Sequence, residues 1–354
     1  MTFTFHRVTV VAVVVLLCLA IQSNAQEPAD SLVKKLMLEG IDFAENGNFD
    51  LALITYHKAR NLDPKDGFIN YEIALAHYEL ENKEKALKYA RVAAKEDSEH
   101  GIQACILSGT VLDESDKYRK AIKTFEKGTK RFGDYYLIHY NLGITALSHK
   151  DYQRAADAFE MAIRGKLDHV DSHMGLARSK SAQSKHAETL YPLLFYMLLA
   201  PDKSEGISDR IDVLMDQQVE VKFEKKPKKT RAWRSSMQMA NLFLSMFGAS
   251  RMLDSYSDLS DFDRSLKALK GYLSQMGKMN FDEFENVYAS YYIPFFAAIA
   301  DSEHMEAFYH FIRQESHEQS EQWVKTNYER IELFFIWLDA EAPRPPEELF
   351  QTNA

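Results

Sequence analysis

From Val33 to about Leu199 the apolar positions of this chain recur every three or four residues and are interrupted only at short polar turns. That spacing places them on one stripe of a helix, and runs of about a dozen residues separated by such turns predict helical hairpins. Lys34 to Glu45, then Asn46-Gly47-Asn48, then Phe49 to Asn61 is the first. The pattern returns with a period of about 34 residues, in windows that begin near Val33, Gly67, Ile102, Tyr136 and Val170, with one extra residue between the second and the third.

Within each window small residues fall at three fixed places. The first holds Gly40, Ala74, Gly109, Gly143 and Ala177; the second Ala52, Ala86, Ala121 and Ala155, with Thr189 in the fifth window. The third holds Ala59, Ala93, Gly128 and Ala162, with Tyr196 in the fifth. Helices whose axes approach to about 8–10 Å tolerate only Gly or Ala at the closest crossing, while Phe43, Tyr56, Phe125 and Phe159 are placed to fill the surrounding grooves.

These positions resemble the tetratricopeptide repeat pattern over about residues 33–203, with Pro64 and Pro201 where that family closes a unit with proline. Two units depart from it. The second carries Ala90 in place of the aromatic of its second helix, and the fifth carries Thr189, Tyr196 and a proline, Pro192, that is expected to interrupt its second helix. The fifth reads as a terminal unit adapted to dock onto the chain beyond it. The fold class expected is all-α, an α-solenoid of about five helix-turn-helix units followed by a non-repeat helical C-terminal domain.

Between residues 204 and 231 the period is lost, and Val219-Glu220-Val221-Lys222-Phe223 alternates like a short strand or an extended connector. Helical spacing returns over 232–340, in segments Ala232 to Leu253, Asp261 to Met276, Phe281 to Ala300, His304 to Gln314 and Glu318 to Leu338. Pro294 should begin or kink a helix. A tail over 341–354, with Pro343, Pro345 and Pro346, is expected to fray. The run Tyr291-Tyr292-Ile293-Pro294-Phe295-Phe296, the Asp301-Ser302-Glu303-His304 segment and the ending Phe335-Ile336-Trp337-Leu338 resemble exported tetratricopeptide proteins of Bacteroidota. That resemblance implies layout and export and adds no activity.

Composition sharpens this picture at three points. With 46% apolar and 12% aromatic residues, 14 glycines and 9 prolines, the chain can bury a large helical core. Its net charge of -9 disfavours nucleic acid as a partner. The exception is local: Lys222, Lys225, Lys226, Lys228, Lys229 and Arg231 crowd beside Pro227, a solvated linker on the plain reading and an anionic-surface contact on the other. Residues 1–25 have the parts of a secretory signal, His6-Arg7, an apolar run from Val8 to Ile21, then Ser23-Asn24-Ala25. The run is shorter than the ~20 residues a membrane span needs, so an exported protein, periplasmic, cell-envelope or secreted, with no integral span after cleavage is expected. The one cysteine beyond the leader, Cys105, lies on an apolar helical stretch and reads as a buried structural thiol.

No catalytic, cofactor or metal site is expected. Gly128 to Gly133 has the spacing of a phosphate loop but is followed by Asp134-Tyr135 rather than a lysine and a hydroxyl. His304, Glu306, His310, Glu315 and His317 are the nearest thing to a metal or acid-base cluster. On a helix, however, His304 and His310 point roughly 120° apart, and only Glu306 and His310 share a face.

In the repeat class that the pattern resembles, the first helix of each pair lines the concave side. The resemblance therefore implies partner-binding positions at Met37, Ile41, Phe68, Tyr71, Leu75, Tyr78, Tyr140 and Ile144, an apolar and aromatic face with acids such as Glu45, Glu79 and Glu114 toward one rim. Lys, Arg and Asn are almost absent there, which disfavours a clamp for a peptide's terminal carboxylate and favours an apolar helix or extended segment. Two readings stay open beside this one. The stripe is core, filled by the C-terminal helices, or Tyr71, Tyr78 and Tyr140 stack on sugar rings, although Leu75 and Ile144 are poor neighbours for hydroxyl groups.

Overall fold

The structure, a computed structural model, describes residues 29–133, 135–216, 228–253, 256–281 and 283–344. Five helical hairpins come first: α1 (Ala29–Glu45) with α2 (Phe49–Leu62), α3 (Gly67–Glu79) with α4 (Lys83–Ala93), α5 (Glu99–Asp113) with α6 (Tyr118–Phe132), α7 (Tyr136–Ser148) with α8 (Tyr152–Gly165), and α9 (Val170–Ser181) with α10 (His186–Leu199). The chain is all-α, a repeat array followed by further helices, and it forms two compact units that divide between Val111 and Leu112, inside α5. The leader, the alternating segment Val219–Phe223, the first half of the basic run (Lys222, Lys225 and Lys226) and the tail from 345 lie outside the described residues.

The small residues sit where the period puts them. Ala52, Ala59, Ala121, Ala155 and Ala162 are fully buried, and a Cβ built on Gly143 would lie 2.8 Å from the Phe159 ring of the partner helix. Gly40 stands against the Tyr56 ring in the same way, closer still.

All five hairpin turns close alike. The N–H groups of Asn48, Asn82, Lys117, Asp151 and Lys185 each bond back to the carbonyl five residues earlier, and the residue before each of them has positive φ: Gly47 (74°), Glu81 (58°), Asp116 (55°), Lys150 (62°) and Ser184 (56°). This is the Schellman ending, which engages two otherwise orphaned carbonyls of the first helix and needs one left-handed residue. Only the first turn uses glycine for it.

The second unit continues through α11 (Asp209–Asp216), α12 (Lys228–Ser250), α13 (Asp261–Gly277), a π turn at Tyr288–Tyr292, α14 (Ile293–Asp301), α15 (Met305–Arg313), α16 (Glu318–Thr326) and α17 (Tyr328–Ala340). Two expectations are corrected here. The helix expected from Phe281 starts only near Tyr288, where the Asn286 side-chain oxygen accepts the N–H groups of Tyr288 and Ala289 (3.0 Å each). The last helix breaks at Asn327, whose amide bonds to the Trp323 carbonyl at 3.0 Å and competes with the helical ladder. Pro294 is the second residue of α14 and follows directly on the π turn, so its ring stands at the junction of the two.

Pro192 does not interrupt α10: the helix runs through it, with every side chain from Ala187 to Met197 buried. A helix apolar all round belongs inside a protein, and α10 is the central post of the second unit. Tyr191 packs with Tyr272, Tyr288, Tyr292 and Phe296, and Phe195 with Tyr291, Tyr292, Phe295 and Phe296. The hydroxyl of Tyr288 donates to the Glu188 carbonyl at 2.9 Å, which is the acceptor that the missing N–H of Pro192 leaves without its helical donor. Among the described residues no helix is long and apolar enough to cross a membrane.

Candidate functional site

In the first unit α1, α2 and α3 surround a cleft of 340 Å³ lined by Ile41, Phe49, Tyr56, Glu72 and Leu75 and edged by Glu45 and Glu79. Asp66 caps the start of α3, accepting the Ile69 N–H at 2.7 Å, and Ile69 and Ile73 bury the adjoining face, which leaves Leu75 and Ala76 on the cleft wall. Ile41 follows from α1, where Gly40 meets Tyr56 and turns the next residue to the cleft wall. Tyr56 is fully buried, and its hydroxyl donates to the Glu72 carboxylate at 3.2 Å. Burial raises the Glu72 carboxyl above its ordinary range, although the Tyr56 hydrogen bond and the nearby His100 pull it down. Burial first, and then Glu72, raises the Tyr56 phenol, which stays a donor.

The structure distributes the eight expected partner-binding residues over several surroundings. Ile41 and Leu75 meet in the cleft. Phe68 and Tyr71 gather at His100, with ring centroids 4.4 and 6.1 Å away, and Tyr78 is half-buried on the same helix. Met37 is corrected: it is 4% exposed and packs in the core with Tyr56 and Ile73, so it offers nothing to a partner. In the second unit Tyr140 packs against His169 at 4.8 Å, and Ile144 stands 41% exposed. Phe49, Tyr56 and Glu72 escape the sequence reading because they lie on the second helix or off the positions usually counted as concave. The one available signal is the acidic Glu72 next to Tyr71 on an otherwise apolar stretch.

The histidine group of the C-terminal helices is engaged in packing. His310 stacks on Trp323 at 4.4 Å, nearly parallel, with Nδ1 3.3 Å from the Ser320 hydroxyl. Glu306 pairs with Arg330 at 2.8 Å. Burial lowers the His317 imidazole, and the guanidinium of Arg313, 3.2 Å away, lowers it further. Among the described residues no three His, Cys, Asp or Glu side chains are placed to hold one metal ion. Cys105 is buried.

A family model described as "Tetratricopeptide repeat" matches residues 37–100 and 107–178. The human protein O-mannosyl-transferase TMTC3 is 27% identical over 178 residues, 48% of this chain, and the match spans only 19% of that transferase. Among solved structures, that of MamA is 16% identical, covers 49% of this chain and 95% of its own, and gives a TM-score of 0.42. YrrB, described as "a TPR protein with an unusual peptide-binding site", is 15% identical, covers 51% of this chain and 95% of its own, and gives 0.39.

Proposed function

We propose, from the premise that this chain is a tetratricopeptide repeat protein over residues 37–100 and 107–178, that it is an exported, non-enzymatic scaffold that holds a protein partner by an apolar segment carrying Lys or Arg. The observation that carries this reading is the cleft in the first unit: Ile41, Phe49 and Leu75 supply apolar wall, and Glu45, Glu72 and Glu79 supply its only charges. A basic side chain beside an apolar anchor satisfies both, whereas an acidic segment meets like charge in a half-buried site. The leader-like run from Val8 to Ile21 supports export, and the engagement of His310, Glu306 and His317 in packing and ion pairs supports a structural use of those groups.

The test is a peptide array of apolar segments that differ only in charge, read by fluorescence polarisation against the full chain. Segments with one or two Lys or Arg should bind, Leu75→Glu should weaken them about tenfold or more, and Glu72→Gln should erase most of the preference for basic over acidic segments. Equal binding of acidic and basic segments removes the proposal.

A further inference from the structure

The second unit contains a cleft of 660 Å³ that none of the repeat-class expectations addresses, walled by α8, α9, α10, α12 and the π turn. At its base Lys180, 4% exposed, is held between Glu160 and Glu188 at 3.0 Å each and lies 5.2 Å from the centre of the Tyr288 ring. Burial alone would lower the Lys180 ammonium, but the two carboxylates overcome it and keep the charge. Buried ion triads are poor stability devices, since packed apolar groups of similar volume do as well or better. A fold that builds one on the wall of a cleft has a use for its polar atoms.

The remaining wall supplies hydrogen-bond partners of both kinds. Each carboxylate has about four lone-pair positions, and Lys180 occupies one on each, so Glu160, 19% exposed at its side chain, retains acceptors toward the opening. The Asn241 oxygen accepts the Ala187 N–H at 2.8 Å, and the Asn286 oxygen accepts two backbone N–H groups. These bonds fix both amide flips, so each side chain contributes its NH₂ group as a donor. Trp233 stands half-exposed on the same wall, pinned by Phe284 at 5.1 Å and Phe281 at 6.0 Å. The π turn, a rare backbone form that is frequent at functional sites, carries Tyr288 into the cleft.

Glu160 and Glu188 match the Lys180 charge, and the rest of the lining carries both signs, Asp157 beside Lys185 and Arg234, so the cleft singles out neither a free anion nor a free cation. The ligand that fits is neutral, rich in hydroxyl groups and flat on one apolar side. We propose that this cleft binds a carbohydrate, a mono- or disaccharide unit stacked on Trp233 with its hydroxyls shared among Glu160, Asn241 and Asn286. The cleft lies within the range of volumes of small-molecule sites, and the proposal is independent of the partner cleft in the first unit.

The full chain is titrated with glucose, galactose, mannose, N-acetylglucosamine and their β-linked disaccharides, and binding is read by saturation-transfer NMR. At least one sugar should bind saturably in the millimolar range or tighter. Trp233→Ala should weaken it about tenfold, Gln238→Ala on the same wall should weaken it measurably, and Leu75→Glu in the first unit should leave it unchanged. Gln238 is half-exposed on α12, so its variant keeps the test decisive should Trp233→Ala fail to fold. Absence of saturable binding by the whole panel, binding indifferent to both wall variants, or displacement of the sugar by a neutral tripeptide at equal concentration would overturn the proposal.

Discussion

Tyr288 serves the carbonyl that Pro192 abandons: its hydroxyl reaches the Glu188 oxygen at 2.9 Å from a position 100 residues along the chain. A proline inside a helix removes the bond to the carbonyl four residues back and crowds that carbonyl aside. Here the displaced oxygen becomes the anchor for the π turn.

A double-mutant cycle tests this dependence. Tyr288→Phe leaves a buried carbonyl unserved and should cost about 1–3 kcal/mol in urea denaturation. Pro192→Ala restores an N–H to that carbonyl, so the same Tyr288→Phe change should cost about 1 kcal/mol less in its background. Additive costs would show that the two residues act separately.

Gly143→Ala reverses the usual ranking of helix residues. In an exposed helix the change stabilises by about 1 kcal/mol, but here the added carbon meets Phe159 at 2.8 Å. A loss of about 1–3 kcal/mol from overpacking is expected. A rise in the denaturation midpoint would mean that the hairpins do not approach as described.

The turn residues should respond in the opposite direction. Lys150 and Ser184 hold φ of 62° and 56°, a conformation that costs a side-chain-bearing residue roughly 1–2 kcal/mol and glycine almost nothing. Lys150→Gly and Ser184→Gly should each stabilise by about 0.5–1 kcal/mol after glycine's greater freedom in the unfolded chain is deducted. Calorimetry on the two variants decides it, and a lower melting temperature for both would count against the Schellman geometry.

Acid should weaken the second unit through His173. The Leu167 carbonyl can only accept, so Nε2 carries the proton, and bare Nδ1 accepts the Tyr292 hydroxyl, both at 2.6 Å. Burial pushes the imidazole down to about 4, against the hydrogen bond to Leu167 that favours the charged form. The unfolded histidine binds its proton near pH 6.5, so the unfolded state gains protons first as pH falls. Stability is full above about 6.5, declines between there and about 4, and the loss levels off near 3 kcal/mol. His173→Gln, judged by the slope of stability against pH over that window, should flatten it. An unchanged slope would place the acid sensitivity elsewhere.

The repeat was readable because packing distance leaves a mark on composition: Gly40, Ala52, Gly143 and Ala155 can be nothing larger, and their spacing needs no knowledge of the rest of the chain. Pro192 was misread as an interruption because its rescue comes from Tyr288, a tertiary donor that periodicity does not reveal. The break at Asn327 and the late start at Tyr288 were hidden for a similar reason, since each depends on one amide choosing a local backbone partner. At the candidate cleft, Ile41 and Leu75 were among the positions that the resemblance to the repeat family, through its register on the first helix of each pair, marks as concave. Met37 shares that register and is buried all the same, because the core of the first hairpin reaches under it, and Glu72 gave little sign because carboxylates on helices are usually solvated.

The enclosure of α10 ties the last repeat to the helices beyond it. The Tyr191 and Phe195 rings of that helix are covered by the aromatic residues of 288–296. A chain cut off after Pro201 would bare that oily column to water, so the repeats and the later helices share one hydrophobic seam.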